Sequence, residues 1–261
     1  MAISSNSLFH FTSKADYLIS ILENGFYPRY CFEEKENHIL LEIAIPMVCF
    51  CDLPLSNVVP HLSFYGNYGI GFTKEWAISK GINPVLYISK NSRVCKCLDE
   101  IAKNFLEIYW KSKGSLKNGL LKDEDVIKLR DEFGIYISDT VDFTKPIEGK
   151  MYHEGKEFKK YFYDEREWRY IPILETTDSN YRLSKDDFKN SVKLAQSNSQ
   201  LSKKCTLNFC CCDIKYIIVN SDDDIYSMIE AINEIYNKES VKNRQMLCSR
   251  ILTIKQIKED F

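Results

Sequence analysis

The spacing of apolar residues along the chain predicts short strands interrupted by helices. Continuous or alternating apolar runs predict strands at residues 8–12, 47–51, 68–72, 84–88, 167–174, 206–210 and 215–219. Apolar residues at helical spacing, together with N-cap residues, predict helices at about residues 14–24, 56–64, 74–80, 92–112, 123–133, 184–198, 222–237 and 254–259. Residues 134–147 are expected to be extended, and residues 150–160 to form a charged connection between elements.

Several polar residues predict where helices begin and end. Thr73 and Ser221 stand where an N-cap is expected, Thr253 with Gln256 forms a capping box, and Gly134 is expected to stop a helix. No repeat or linker divides residues 1–261, and the strands do not alternate regularly with helices. We therefore predict a single α+β domain, with a mixed or mainly antiparallel sheet and flanking helices.

Composition narrows the class of protein. The chain has 261 residues, of which 44% are hydrophobic and 28% charged, as in an ordinary globular protein with a sizeable core. Its net charge of −2 gives no electrostatic reason to expect a nucleic-acid groove or a membrane surface. The polar N-terminus lacks the features of a secretory signal, so we predict a cytoplasmic protein without membrane association.

The cysteines do not follow the usual spacing of zinc ligands. Cys49 with Cys51 and Cys95 with Cys97 are C-x-C pairs, and residues 210–212 are three consecutive cysteines. Structural zinc sites usually place two to four residues between paired cysteines. We expect no metal, and we expect all ten cysteines to be reduced in a reducing compartment.

Residues 162–172 concentrate acids, bases and aromatics just before a predicted strand. Glu165 and Glu167 are two residues apart and are expected to leave the same face of that strand. A carboxylate fixed there can stabilise a developing positive charge, and Glu167 is expected to contribute little to the core. The alternative, an exposed edge strand with solvated charges, remains open at this point.

Residues 65–72 are rich in glycine, and Gly69 and Gly71 alternate with Tyr68, Ile70 and Phe72. One face of the predicted strand is therefore bare backbone, which indicates that something approaches it closely. Either a neighbouring element or a flat ligand meets that requirement. The stretch is not a phosphate loop, because it lacks the G-K-[ST] ending.

The four histidines allow few catalytic arrangements. His38 and His153 lie in charged stretches and are expected to be solvated, His61 lies in a predicted helix, and no zinc-hydrolase spacing occurs. What remains is His10, the aromatics of residues 65–72 and the two glutamates. His10 could donate a hydrogen bond to a ribose hydroxyl, and an aromatic side chain of residues 65–72 could stack on a flat ring. A glutamate could stabilise a cationic ribose. An enzyme that breaks the nicotinamide–ribose bond of NAD needs these three functions.

Five segments resemble a bacterial family linked to phage resistance. Residues 9–12, 22–31, 46–56, 68–76 and 165–170 are similar to the abortive-infection AbiGi family, and the resemblance spans nearly the whole chain. It implies an AbiGi-like protein of an abortive infection system. It also implies a partner, because the family is usually described as the antitoxin-like member of a two-gene system.

A more distant resemblance is to the ADP-ribosyltransferase fold. The H-x-T of His10 to Thr12, followed by a helix and Asn24-Gly25, is similar to DarT-type and RNA 2′-phosphotransferase enzymes. This resemblance implies catalytic roles for His10, Tyr68 and Glu167, and NAD as the cosubstrate without a metal. The implied NAD-binding residues are His10, Thr12, Tyr65, Tyr68, Phe72, Glu165 and Arg169. This chain lacks the S-T-S strand of those enzymes and has the glycine-rich strand in its place. The role implied for Tyr68, the middle one of the three catalytic positions, therefore stays open.

Two functions therefore compete. The first is an NAD-consuming transferase that modifies a phage or host macromolecule, and the second is a non-catalytic regulator that binds a partner toxin. If the first holds, we expect His10 and Glu167 to line one cleft, roughly within 10 Å of each other. The sequence does not identify the acceptor, the toxin or the oligomeric state.

Overall fold

The computed structural model describes residues 5–33, 43–117, 124–153, 156–174 and 182–260. In these residues the strands are β1 (Ser7–Thr12), β2 (Arg29–Phe32), β3 (Ile43–Cys51), β4 (Tyr68–Thr73), β5 (Asn83–Pro84), β6 (Leu86–Ile88), β7 (Thr144–Pro146), β8 (Glu148–His153), β9 (Lys156–Tyr161), β10 (Glu167–Tyr170), β11 (Leu183–Ser184), β12 (Ile214–Val219) and β13 (Ile251–Thr253). The helices are α1 (Ala15–Asn24), α2 (Val59–Tyr65), α3 (Lys74–Ser79), α4 (Arg93–Lys117), α5 (Glu124–Asp142), α6 (Lys185–Lys189), α7 (Ser191–Lys204), α8 (Asp223–Ile235), α9 (Val241–Cys248) and α10 (Ile254–Asp260).

The main sheet has the strand order β13-β12-β4-β1-β3-β10-β5. Strands β12 and β13 are parallel, whereas β12, β4, β1, β3, β10 and β5 pair in antiparallel fashion. Strands β2 and β11 pair with the first half of β3. The predicted α+β fold with a mixed sheet and flanking helices is confirmed.

The centre of the sheet contains an opening. Strand β1 pairs with β4 along its whole length, from Ser7 opposite Thr73 to Thr12 opposite Tyr68. Within the described strands, β1 pairs with β3 at a single position, Phe9 opposite Cys51. The two strands therefore separate beyond that pair, and the separation determines where the candidate site lies.

Apolar side chains cover both faces of the sheet. One core cluster contains Leu8, Phe50, Ile70 and Phe72, together with Trp76 of α3. The cluster on the other face is built from Phe9, Phe11, Leu62, Ile218 and Ile254. Because side chains alternate along a strand, β1 contributes Leu8 to the first cluster and its two phenylalanines to the second.

The glycines of β4 make room for β1. Gly69 lies opposite Phe11, and Gly71 lies opposite Phe9. A Cβ atom added to Gly69 would lie 2.7 Å from Phe11 Cδ1, and one added to Gly71 would lie 2.7 Å from Phe9 Cε1. The close approach predicted at this strand is therefore made by two phenylalanine rings of the chain itself.

Helix α5 corrects two predictions. It continues through Gly134 to Asp142, so the predicted stop at Gly134 is wrong, and the segment predicted to be extended at 134–147 is extended only near its end, in β7. A Cβ atom at position 134 would lie 2.8 Å from Phe105 Cζ, so this glycine serves close packing against α4 rather than termination. Tertiary packing overrides the local helix-stop preference here.

Other element boundaries also differ from the predictions. The charged residues 150–153 and 156–160 lie on the paired antiparallel strands β8 and β9, and residues 206–210 form one isolated bridge, between Phe26 and Leu207, instead of a strand. Strand β10 ends at Tyr170, and the helix predicted at 184–198 is divided into α6 and α7. No helix in the described ranges combines the length and the apolar character that crossing a lipid bilayer requires.

Local capping was predicted more accurately. The Thr73 hydroxyl accepts a hydrogen bond from the Trp76 N–H, and Thr253 and Gln256 exchange the two bonds of a capping box. Ser221 is different, because helix α8 begins at Asp223 and the Ser221 hydroxyl donates to the Asp224 carboxylate. These contacts span three residues, which is why sequence alone reveals them.

The packing of β1 on β4 predicts the effect of enlarging the glycines. Gly69→Ala and Gly71→Ala should each lower the free energy of unfolding by about 1–3 kcal/mol, because the new methyl group would push a buried phenylalanine ring aside. Urea unfolding of both variants measures this loss. Lys159→Ala on the exposed hairpin is the control, and equal stability of all three variants would contradict the packing described here.

Candidate active site

A cavity of about 370 Å³ opens beside the point where β1 and β3 separate. Its walls combine aromatic rings, sulfur-containing side chains, two imidazoles, three carboxylates and one lysine. The lining residues are Phe9, His10, Phe11, Cys31, Phe32, Glu33, Met47, Cys49, Phe50, Cys51, His61, Tyr65, Lys145, Met151, Glu165 and Glu167. A second cavity of about 550 Å³, between α5 and residues 170–174, is lined by none of the residues predicted to be catalytic.

His10 reaches the cavity through the opening in the sheet. Phe9, Cys51 and Glu167 lie in one row across β1, β3 and β10, so the strand register gives His10 the opposite face from Glu167. The imidazole nevertheless turns into the gap, where its Nδ1 lies 2.8 Å from the Cys49 carbonyl oxygen. His10 and Glu167 therefore both line this cavity, although they leave different faces of the sheet.

The hydrogen bond to Cys49 determines the protonation of His10. A carbonyl oxygen only accepts, so Nδ1 must carry the proton of this bond. Burial lowers the pKa of His10, which outweighs the opposing effect of the backbone hydrogen bond and keeps the ring neutral at pH 7. Nε2 is then an acceptor. The expectation that His10 donates to a ribose hydroxyl is corrected, because the neutral ring can only accept a bond from that hydroxyl.

The two glutamates belong to a chain of buried ion pairs with alternating charge. Lys145 Nζ lies 2.7 Å from Glu165 Oε2 and also contacts Glu167 Oε2. Arg169 Nε lies 2.6 Å from Glu167 Oε1, and Lys160 Nζ lies 2.7 Å from Glu165 Oε1. With the Arg169–Glu33 pair, the sequence of contacts is Glu33, Arg169, Glu167, Lys145, Glu165 and Lys160.

This arrangement changes the structural role expected for the glutamates. Glu167 is buried and bonded to two cations, which excludes the alternative of solvated charges, and the expectation that Glu167 contributes little to the core is wrong. Glu165 lies in a 3₁₀ turn, Phe162–Glu165, and Arg166 follows with φ of 47°. The left-handed residue turns the chain between the two acids, yet both carboxylates reach the cavity.

Electrostatics keeps both glutamates ionised. Burial alone would raise the pKa of Glu167, but the charges of Arg169 and Lys145 lower it well below its usual range. Burial opposes ionisation of Glu165 in the same way, and Lys145 and Lys160 lower its pKa. Burial would lower the pKa of Lys145, but the two carboxylates raise it well above the usual value. Charged partners therefore outweigh desolvation at all three groups.

Tyr65 and His61 form a flat wall of the cavity. The two rings stack with their centroids 4.2 Å apart, and the Tyr65 hydroxyl donates to Glu165 Oε1. Burial raises the pKa of Tyr65, and the charge of Glu165 raises it further. Burial lowers the pKa of His61 to about 4. Both side chains are therefore neutral at pH 7, and the Lys160 ammonium group lies 4.9 Å from the centroid of the Tyr65 ring.

The cavity thiols are not nucleophiles at neutral pH. Burial raises the pKa of Cys31 to about 11, with a further contribution from Glu33. Burial also raises the pKa of Cys49 and of Cys51, where Glu167 and Glu165 respectively add to the effect. Because the thiolate is the reactive form, these cysteines act as small apolar wall residues.

Four predicted site residues lie away from the cavity wall. Phe72 is fully buried in a core cluster, and Tyr68 packs beside that cluster while its hydroxyl lies 3.3 Å from Asp224 Oδ1. Thr12 pairs with Tyr68 at the end of β1. Arg169 is fully buried and binds Glu33, Glu167 and the Asp142 carbonyl oxygen. The structure therefore brings together His10, Tyr65, Glu165 and Glu167, but not these four.

Sequence reasoning missed the cations that complete the site. Lys145 lies on β7, in a segment predicted only to be extended, and Lys160 lies on β9. One signal was available: two acids close together beside a buried strand require a cationic partner, because an unpaired buried charge is costly. That argument predicts the type of partner, but the fold is needed to identify Lys145.

His38 and the side chain of His153 lie outside the described residues.

The cysteines contain one exception to the predicted reduced state. Cys210 and Cys212 are joined by a disulfide, so the prediction of ten reduced cysteines is wrong. In the described part of the chain, these two residues and Asp213 form the one group with metal-ligand spacing. A thiolate is the form that binds metal, and the disulfide leaves neither sulfur in that form.

Comparisons with known proteins point to one family. A family model described as "Putative abortive phage resistance protein AbiGi, antitoxin" matches residues 24–220. The abortive phage resistance protein AbiGi of Lactococcus lactis subsp. cremoris is 34% identical over 267 residues, which cover 91% of this chain and 100% of that protein. No solved structure matches significantly, so the likeness to ADP-ribosyltransferases stays a prediction.

The partly buried His61 predicts a specific loss of stability in acid. Its pKa falls from 6.5 to about 4 on folding, so its contribution is complete above pH 6.5 and is lost as the pH falls towards 4. His61→Phe keeps a ring beside Tyr65 and removes the titration. Between pH 7 and pH 4 the wild type should lose roughly 2–3 kcal/mol more stability than this variant. Urea unfolding at both pH values tests this, Tyr161→Phe is the control, and equal losses would contradict the assignment.

Proposed function

The chain belongs to the AbiGi family of abortive phage resistance proteins, so its role lies in phage defence, and we propose that it acts there as an NAD-dependent ADP-ribosyltransferase. The observation that supports this proposal most directly is the cavity shared by His10, Tyr65 and Glu167. The three side chains come from different elements and supply an acceptor, a stacking surface and a fixed negative charge.

Each of these groups fits one part of the chemistry. Cleavage of the nicotinamide–ribose bond leaves the bonding electron pair on nicotinamide and a positive charge on the ribose. Glu167 would stabilise that charge from a buried position, where a fixed carboxylate is most effective. Nε2 of His10 would accept a hydrogen bond from a ribose hydroxyl, and the stacked His61–Tyr65 pair would bind a flat ring. A macromolecular acceptor would then attack the ribose carbon.

The second candidate function is a non-catalytic antitoxin that binds a partner toxin. The description of the matching family model includes the word antitoxin. In addition, each carboxylate oxygen of Glu165 and Glu167 already contacts a donor within the chain. Under this alternative the ion pairs only stabilise the fold, and the recognition surface lies elsewhere.

Two charge-balanced double variants separate these functions. Glu167→Gln alone would leave an excess positive charge in a buried network and would destabilise the protein. Each double variant removes one cation and one anion. The first pair combines Lys145→Met with Glu167→Gln, and the second pair combines Lys145→Met with Glu165→Gln. If Glu167 acts in catalysis, the first pair should lower NAD consumption by a further 10²–10³-fold or so relative to the second, the scale of one lost electrostatic contact.

The measurement is phage plating with the neighbouring gene present, alongside NAD consumption by purified protein and melting temperatures. Glu157→Gln on the exposed hairpin is the control. Wild-type phage protection by both double variants, with equal melting temperatures, would reject the catalytic role of Glu167 and favour the antitoxin.

A further inference from the structure

We propose that Lys145 is the positioning residue of this site, because its ammonium group bridges Glu165 and Glu167 and keeps both carboxylates charged and turned into the cavity. The functional part of this inference rests on the proposed function, since it concerns the same cavity. Its electrostatic part concerns the folded protein alone and is tested without a ligand.

The surroundings of the ammonium group favour this role. Nζ contacts one oxygen of each carboxylate, and it lies 4.8 Å from the centroid of the Phe162 ring. The Lys145 side chain is 13% exposed, so water replaces little of this contact. A cation held between two carboxylates and an aromatic face fixes the separation and the orientation of both acids.

Lys145 reaches the site from outside the main sheet. Strand β7 pairs with β6 in a separate two-stranded sheet, and α5 ends immediately before it. The carbonyl oxygen of Asp142, at the end of α5, accepts a hydrogen bond from Arg169 Nη1 at 2.7 Å. This hydrogen bond connects the end of α5, just before Lys145, to β10, the strand that carries Glu167.

Among the described residues, the charged groups around the bridge are balanced. Three anions, Glu33, Glu165 and Glu167, face three cations, Lys145, Lys160 and Arg169. The other described titratable groups that face the acids are three cysteines and three aromatic side chains, and burial shifts the pKa of each towards its neutral form. They are Cys31, Cys49, Cys51, His61, Tyr65 and Tyr87. Removing Lys145 would leave one uncompensated negative charge in a buried space.

The missing cation has a consequence that depends on pH. Without Lys145, burial dominates and should raise the pKa of one glutamate above the usual 4.5. A group whose pKa is raised on folding stabilises the protein at low pH, and that contribution is lost as the pH rises through the folded value. Lys145→Met should therefore resemble the wild type at acidic pH and be clearly less stable at alkaline pH.

Melting temperatures at pH 5 and pH 8 test this inference. The difference between wild type and Lys145→Met should grow by roughly 5 °C from pH 5 to pH 8. Lys145→Met with Glu165→Gln restores the charge balance and should remove most of that growth, and Lys145→Arg should behave like the wild type. Lys159→Met, whose side chain is 76% exposed, is the matched control and should show no dependence on pH.

The outcomes separate the inference from the proposed function. A melting difference for Lys145→Met that is the same at both pH values would overturn the role of Lys145, since lost packing alone does not titrate. Calorimetric titration with NAD is the second arm. A wild type that binds no NAD would overturn the proposed function, and it would leave the melting result to decide the electrostatic role. If NAD does bind, binding to Lys145→Met should weaken at least 10-fold at pH 7 and should acquire a pH dependence that the wild type lacks.

Discussion

The bridge of Lys145 between Glu165 and Glu167 is the interaction on which the candidate site depends. Carboxylates that are this deeply buried stay ionised only when cations and hydrogen bonds replace the water they have lost. The chain meets that requirement with residues from β7, β9 and β10 and with the Tyr65 hydroxyl from α2. The same contacts therefore hold these elements together and place two negative charges at the wall of a cavity.

The opening in the sheet is the second constraint. If the register of Phe9 opposite Cys51 continued, Phe11 would face Cys49 and close the gap. Instead, the imidazole of His10 binds the Cys49 carbonyl oxygen, so a side chain satisfies a backbone group that the sheet leaves unpaired. This bond also fixes the tautomer of His10, and a structural hydrogen bond thereby decides which atom is available to a ligand.

Features set by local sequence were predictable, whereas features set by distant contacts were not. The caps at Thr73 and Thr253 follow from residues three positions apart. Gly134 looked like a helix stop because its packing partner, Phe105, lies 29 residues away (134 − 105) on another helix.

The candidate site divides in the same way. The alternation of residues along β10 and the short spacing of the acids indicated Glu165 and Glu167, while Lys145 required knowledge of where β7 lies. Tyr68 was assigned by resemblance to a family position, but its strand turns that ring towards a core cluster. Arg169 was expected to meet a ligand, and the sequence could not reveal that Glu33 binds it.

The proposed transferase requires NAD to bind in this cavity, and calorimetric titration of the purified wild-type protein measures that binding. We expect saturable one-to-one binding in the range of roughly micromolar to millimolar dissociation constants. Binding should be retained in Glu157→Gln and strongly weakened when Lys145→Met and Glu167→Gln are combined. The absence of any heat of binding from a wild-type protein with a cooperative thermal transition would rule out this role of the cavity.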